Sequence, residues 1–313
     1  MMVGMVPLAL AALVSGASLP QAVPPIPVIA AEQPPVPSDT LGFGTVERRM
    51  TVLVSVDGHG PYTFVVDTGS ERTVVSHDLA GLLALKPGRR VHVTAMTNEA
   101  MVGTVVVPSL SVSKIAARTI EAPALDQANM GAPGMLGLDA LRGHAVSIDF
   151  ARDEMQVEPA KRRYQGPPGP DEIVVTAKNL FGQLIVTDAH CHGKRVSVVI
   201  DTGTPVTIAN PAFVRMLGKP PKSIGTVSLV SALGQLMVAD YVDVDRLEIG
   251  GIGFNNVPLA VADAEPFKRF GLTDTPALLL GMDSLRLFRQ VDIDFANRQI
   301  RFRLPDSPLM ASR

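Results

Sequence analysis

Phe64-Val65-Val66-Asp67-Thr68-Gly69-Ser70 and Val198-Val199-Ile200-Asp201-Thr202-Gly203-Thr204 share one plan. In each, an apolar run ends in Asp-Thr-Gly and then a hydroxyl residue. The β-branched run reads as a buried strand. An aspartate at its end places a carboxylate where core meets cleft, and the glycine allows a sharp turn that leaves an N–H near that carboxylate. Single Asp-Thr-Gly triplets are ordinary turn chemistry. Two with matched lead-ins point to paired carboxylates, one from each half of the chain, doing acid/base work with a shared proton.

Features around the two motifs recur in order. After the first come Thr73-Val74-Val75, a helix over Asp78 to Leu85 ended by Pro87-Gly88, hairpin arms Val91 to Thr94 and Gly103 to Val107, and Met135-Leu136-Gly137 before a short helix. After the second come Thr207-Ile208, a helix over Pro211 to Leu217, arms Thr226 to Val230 and Gln235 to Ala239, and Leu279-Leu280-Gly281. Asp67 and Asp201 lie 134 residues apart, Gly137 and Gly281 144, Phe150 and Phe295 145. So long a period means a duplicated lobe and not a solenoid. Short strands separated by turn signals, with few helices, predict an all-β fold.

The 313 residues are 46% apolar and 19% charged, enough for a large core, and the net charge of −2 offers no basic field for nucleic acid. The single cysteine, Cys191, excludes an intrachain disulfide. Residues 1–31 carry no charge, and Val6 to Val14 followed by Ser15-Gly16-Ala17 has the layout of a secretory signal. Seven prolines in residues 20–37 make a linker. The expected organisation is therefore signal and linker over 1–37, a first lobe over 40–160, a Gly/Pro-rich linker over 161–172 and a second lobe over 173–304. The expected location is periplasmic or secreted, with an uncleaved N-terminal anchor as the alternative.

Each half resembles a retropepsin-type lobe: apolar-Asp-Thr-Gly-Ser/Thr, a hairpin in the place of a flap, and an apolar-apolar-Gly motif before a short helix. Two such lobes in one chain resemble the bacterial retropepsin-like aspartic proteases. That resemblance implies a bilobal acid-protease fold of two β-barrel-like lobes with a cleft between them. It implies an aspartic endopeptidase, working as a monomer on an extended peptide, in which Asp67 and Asp201 activate one water. By the family pattern, the Ser70 and Thr204 hydroxyls would bond the outer carboxylate oxygens. The Gly69 and Gly203 N–H groups would support the inner ones, and Thr68 and Thr202 would lock the two loops together. Hairpin tips at Met96, Thr97, Asn98 and Glu99, and at Ser231, Ala232, Leu233 and Gly234, would close on the substrate. No flap tyrosine is available, since Tyr62, Tyr164 and Tyr241 all lie elsewhere.

Other motifs carry blander readings. His190-Cys191-His192 offers too few ligands on one strand face for zinc, so no metal or other cofactor is expected. Asp139 and Asp283 read as helix N-caps. Asp149 and Asp294 read as structural. The rival functional reading is a non-catalytic peptide-binding module that grips an extended segment by strand pairing.

Overall fold

The strand that ends at Asp67 is buried on both faces, and the fold follows from that. In His59–Val66, Phe64 and Val66 face the main core while Val65 faces a second cluster beneath the cleft. In Lys194–Ile200, Val198 and Ile200 face the main core and Val199 faces another such cluster. A strand with apolar surroundings on both sides needs an unbroken apolar run, which is why the lead-ins do not alternate with polar residues.

In the computed structural model the described residues are 39–42, 44–46, 49–112, 115–141, 143–160, 168–180 and 182–305. The expected signal and proline-rich segment over 1–37 lies outside them, as do residues 161–167 of the expected interior linker. The described residues are mostly β, in two sheet-rich lobes within one compact unit.

The two lobes repeat each other strand for strand. In the first, the sheet order runs Arg49–Val56, His59–Val66, Gly134–Leu136, Val74–Ser76, Ile115–Leu125, Glu99–Val112, Lys86–Thr94. In the second it runs Gln183–Cys191, Lys194–Ile200, Ala277–Leu280, Ile208–Ala209, Ile252–Val261, Leu236–Ile249, Lys222–Val230. Even the hairpin turns leading into the two motif strands match. Asp57-Gly58 and His192-Gly193 all have positive φ, which suits the right-handed twist of a tight hairpin.

Between the lobes lies a shared stack of strands. His144–Asp149 of the first lobe pairs antiparallel with Gln290–Asp294 of the second, with Val146 opposite Ile293 and Ile148 opposite Val291. Glu154–Pro159 flanks the first and Gln299–Arg303 the second. All four central residues are almost wholly buried. The pairing makes the two lobes one folding unit, because neither can satisfy these strand edges alone.

Several elements differ from the sequence reading. Strand Glu172–Leu180 was not anticipated; it pairs with both Gln299–Arg303 and Gln183–Cys191 and so stitches the second lobe to the interlobe strands. Pro87-Gly88 does not end a helix. The helix is His77–Leu82, capped by the Ser76 hydroxyl, and Pro87-Gly88 lies in an edge strand at a register shift, where a missing N–H is tolerated. Each hairpin is longer than expected. Glu99–Val112 and Leu236–Ile249 are single strands that continue from the hairpin arm into the body of the lobe. Asp139 and Asp283 are not N-caps but sit at the second position of their helices. The helix Glu265–Arg269 carries no early sequence signal beyond Pro266 at its start. Asp149 and Asp294 do accept backbone N–H bonds in tight turns, from Ala151 and Arg152 and from Asn297.

Candidate active site

The apolar-apolar-Gly motifs explain themselves once the strands are placed. Asp67 N–H donates to Leu136 O at 3.0 Å, and Asp201 N–H to Leu280 O at 3.1 Å. Just beyond, Leu138 N–H donates to Ser70 O and Met282 N–H to Thr204 O. Each motif thus clamps its Asp-Thr-Gly loop from both ends. Glycine is required at 137 and 281 because a β-carbon there would collide with the backbone of Arg72–Thr73 or Val206–Thr207. A belt of side chains completes each clamp. Thr73 Oγ1 donates to Asp139 Oδ1 at 2.7 Å and accepts from Gly137 N–H. Thr207 Oγ1 donates to Asp283 Oδ1 at 2.7 Å and accepts from Gly281 N–H.

The threonines of the two motifs join the lobes. Thr68 N–H donates to Thr202 Oγ1 at 3.0 Å and Thr202 N–H to Thr68 Oγ1 at 3.1 Å. Each hydroxyl also donates across to the strand before the other aspartate, Thr68 to Ile200 O and Thr202 to Val66 O. Both residues are buried. Four reciprocal bonds in a dry interface fix the separation and tilt of the two loops.

That grip brings the carboxylates together. Gly69 N–H donates to Asp67 Oδ1 at 2.8 Å and Gly203 N–H to Asp201 Oδ1 at 3.0 Å. Each glycine also lies against the carboxylate of the opposite lobe. A β-carbon on Gly69 would come within 2.6 Å of Asp201 Oδ1, and one on Gly203 would collide with Asp67. The two carboxyls lie close enough for each to act on the other's proton affinity. Burial raises the proton affinity of both. Asp201 is pushed up to about 8, first by burial and then by the negative charge of Asp67. Asp67 is also raised, by burial, against the Gly69 N–H bond and the Arg49 guanidinium, which favour its anion. Two carboxyls that both resist ionisation at such close quarters favour a single proton held by the pair.

The hydroxyls of Ser70 and Thr204 are not on the carboxylates. Ser70 Oγ donates to Arg72 O at 2.7 Å and Thr204 Oγ1 to Val206 O at 3.1 Å. Each hydroxyl has one proton, and the tight turn after the glycine offers a nearer carbonyl.

A cleft of about 500 Å³ opens over the dyad. Met96 lines it from the first hairpin tip, Ser231 and Ala232 from the second. Each tip packs on the opposite lobe. Met96 joins the cluster around Val199 and Phe267, and Ala232 and Leu233 join that around Val65 and Met130. The first tip is also bonded across the cleft, with Glu265 N–H donating to Met96 O at 2.9 Å. Gly234 lies against Asn129. Thr97, Asn98 and Glu99 do not face the dyad, and exposed Glu99 pairs with His92 and Thr94.

Two buried residues escaped the sequence reading. Arg49 is 7% exposed, lines the cleft beside Asp67, and donates from Nη2 to Met130 O at 2.7 Å. Gln183 is 3% exposed and donates from Nε2 to Gly69 O. Each stands 18 positions before its aspartate (67 − 49 and 201 − 183), so the duplication itself was the available signal. Cys191 is a buried thiol pushed up to about 11 by its surroundings, chiefly burial, and is inert as a nucleophile. His192 lies in the hairpin turn, off the strand that carries His190. Among the described residues no group of three His, Cys, Asp or Glu side chains is placed to hold a metal.

Comparison with protein families places this site. Residues 52–143 match the family described as "gag-polyprotein putative aspartyl protease", and residues 187–284 match the family described as "Aspartyl protease". Each match spans one Asp-Thr-Gly motif and one apolar-apolar-Gly clamp. The chain belongs to the retropepsin-like aspartyl proteases, with one such domain in each lobe. No curated protein matches it.

Proposed function

We propose that the chain is an aspartic endopeptidase that hydrolyses peptide bonds with a water activated between Asp67 and Asp201. Family membership supports a protease in general. The observation that carries the finer reading is the dyad itself: two carboxyls, Asp201 buried and Asp67 partly buried, brought together from the two lobes at the floor of a cleft and both raised in proton affinity by burial. Like charges this close cannot both ionise, so the pair keeps a proton at neutral pH. The Asp67 anion accepts a proton from the attacking water. Protonated Asp201 donates to the oxygen of the scissile carbonyl, where charge develops. The titrations belong to the pair.

The substrate is a peptide in extended form, lying beneath the two hairpin tips. The chain works as a monomer, because its second lobe supplies what a partner subunit would. The expected export signal makes the periplasm or exterior the site of action.

Two variants of the full chain, Asp67→Asn and Asp201→Asn, test this on a diverse peptide library. Each is expected to lose roughly 10²–10⁴-fold in cleavage while still folding to a state that melts cooperatively. Undiminished cleavage by either would refute the mechanism. Tight peptide binding without turnover by the wild type would favour the binding module.

A further inference from the structure

A second pocket of about 390 Å³ opens off the dyad cleft, sharing Gly69, Ser70, Val93 and Thr94 with it. Its remaining lining is rich in basic residues, set among Val91, Pro123 and Phe270. Arg72, Arg89, Arg90, His92 and Arg269 line it, against one acid, Glu71. This is unexpected in a chain of net charge −2. Some of that charge is met: Arg269 pairs with Glu71 at 2.5 Å, Arg89 with Glu121 at 3.1 Å, and His92 with Glu99 at 3.3 Å. Arg90 donates from Nη2 to the Met101 carbonyl at 2.9 Å, which leaves its charge unbalanced. Arg72, partly buried at the mouth, has no ion-pair partner among the described residues.

The duplication shows that this charge belongs to one side only. At the offset of the two aspartates, Glu71-Arg72 corresponds to Pro205-Val206, which line the opposite side of the cleft. The cleft is therefore near-symmetric at the dyad and polar in one direction away from it. A peptide crossing the dyad would meet two guanidinium groups on one side, neither in an ion pair among the described residues though Arg72 lies within the field of Glu121, and the uncharged Pro205-Val206 on the other. Arginine presents a planar fork that fits a carboxylate, and such a pair gains most where solvent is partly excluded.

We infer that the Arg72–Arg90 pocket takes an acidic side chain of the peptide substrate, Asp or Glu, on one side of the scissile bond only. This rests on the peptidase reading for its substrate. It adds a selectivity and a direction of binding that the dyad does not fix.

The test uses full-length Asp67→Asn, which holds peptides without turnover, on immobilised peptides with blocked termini. Glu, Gln or Lys is placed at each of four positions either side of a central apolar pair. Retention is expected to favour Glu over Gln by about tenfold at one or two positions on a single side, and to weaken with salt. Adding Arg72→Glu should turn that preference towards Lys, which mere loss of packing would not do. Arg72→Gln with Arg90→Gln should abolish it, with folding checked by thermal melting. Equal retention of Glu and Gln everywhere, a Glu preference that survives both sets of changes, or retention of no peptide would overturn the inference. Wild-type cleavage of the same peptides is scored in parallel. Cleavage without acid preference would overturn the pocket and leave the peptidase. Acid-selective retention without cleavage would overturn the peptidase and leave the pocket.

Discussion

A carboxyl group removed from water holds its proton more tightly, and Asp201 turns that into a cost for the fold. Its ordinary value in an unfolded chain is about 4, whereas in the folded protein it is pushed up to about 8. Between those limits the folded state binds more protons than the unfolded state, so its contribution to stability falls as pH rises through that window. Asp201→Asn does not titrate. It is expected to raise the melting temperature at pH 7.5 by a few degrees and to flatten its slope between about pH 4 and pH 8. A fall in melting temperature on this change, read by calorimetry, would mean that Asp201 is not held protonated by the fold. Arg49 acts with the opposite sign on Asp67, favouring its anion. Arg49→Met should let Asp67 take up its proton at higher pH, so that the acid limb of the pH–activity profile moves upward. An unmoved acid limb would assign Arg49 to packing alone. The aspartates were legible from the sequence because their motif is local. Arg49 and Gln183 were not, because a polar residue at the start of an apolar strand means nothing until the strand is placed beside the dyad.

At the scale of elements, the two loops hold their geometry through buried bonds that no surface interaction replaces. Thr202→Val keeps the shape of the side chain and removes the donor to Val66 O and the acceptor of Thr68 N–H. With both partners left buried, a loss of about 2–4 kcal/mol in unfolding free energy is expected, measured by denaturant titration. A change below about 0.5 kcal/mol would show that the interface relaxes around the loss. The first hairpin is held shut by Glu265 N–H on Met96 O. Glu265→Pro removes that donor at a helix start where proline is tolerated. It should alter KM for peptides with little change in melting temperature, whereas an unchanged KM would separate this contact from substrate entry. The paired hairpins were visible in the sequence, but their lengths were not. Pro87-Gly88 looked like a helix stop because proline and glycine break both element types, and only the edge position of the strand decides between them. Strand Glu172–Leu180 was hidden for a related reason. It follows a Gly/Pro-rich stretch, and its role comes from partners more than a hundred residues away.

For the whole molecule, the duplication accounts for most of what the sequence disclosed. Two copies of one lobe must bury the same faces, so the order of motifs predicted two sheets of matching topology and a cleft between them. What it did not disclose is where the copies differ. Pro205-Val206 against Glu71-Arg72, and Gln183 against Arg49, break the symmetry around the dyad. One chain can differentiate its halves in this way, which two identical subunits cannot. The single proton shared by Asp67 and Asp201 is the property on which the proposed chemistry depends. The measurement that tests it most directly is the pH dependence of kcat/KM for a cleaved library peptide, taken for the wild type beside Asp67→Asn and Asp201→Asn. The account predicts a bell for the wild type, with activity lost at low pH as Asp67 takes up a proton and lost again near pH 8 as Asp201 gives its proton up, and almost no activity from either variant at any pH. Wild-type activity that keeps rising beyond pH 9, or a folded variant that cleaves as well as the parent, would contradict it.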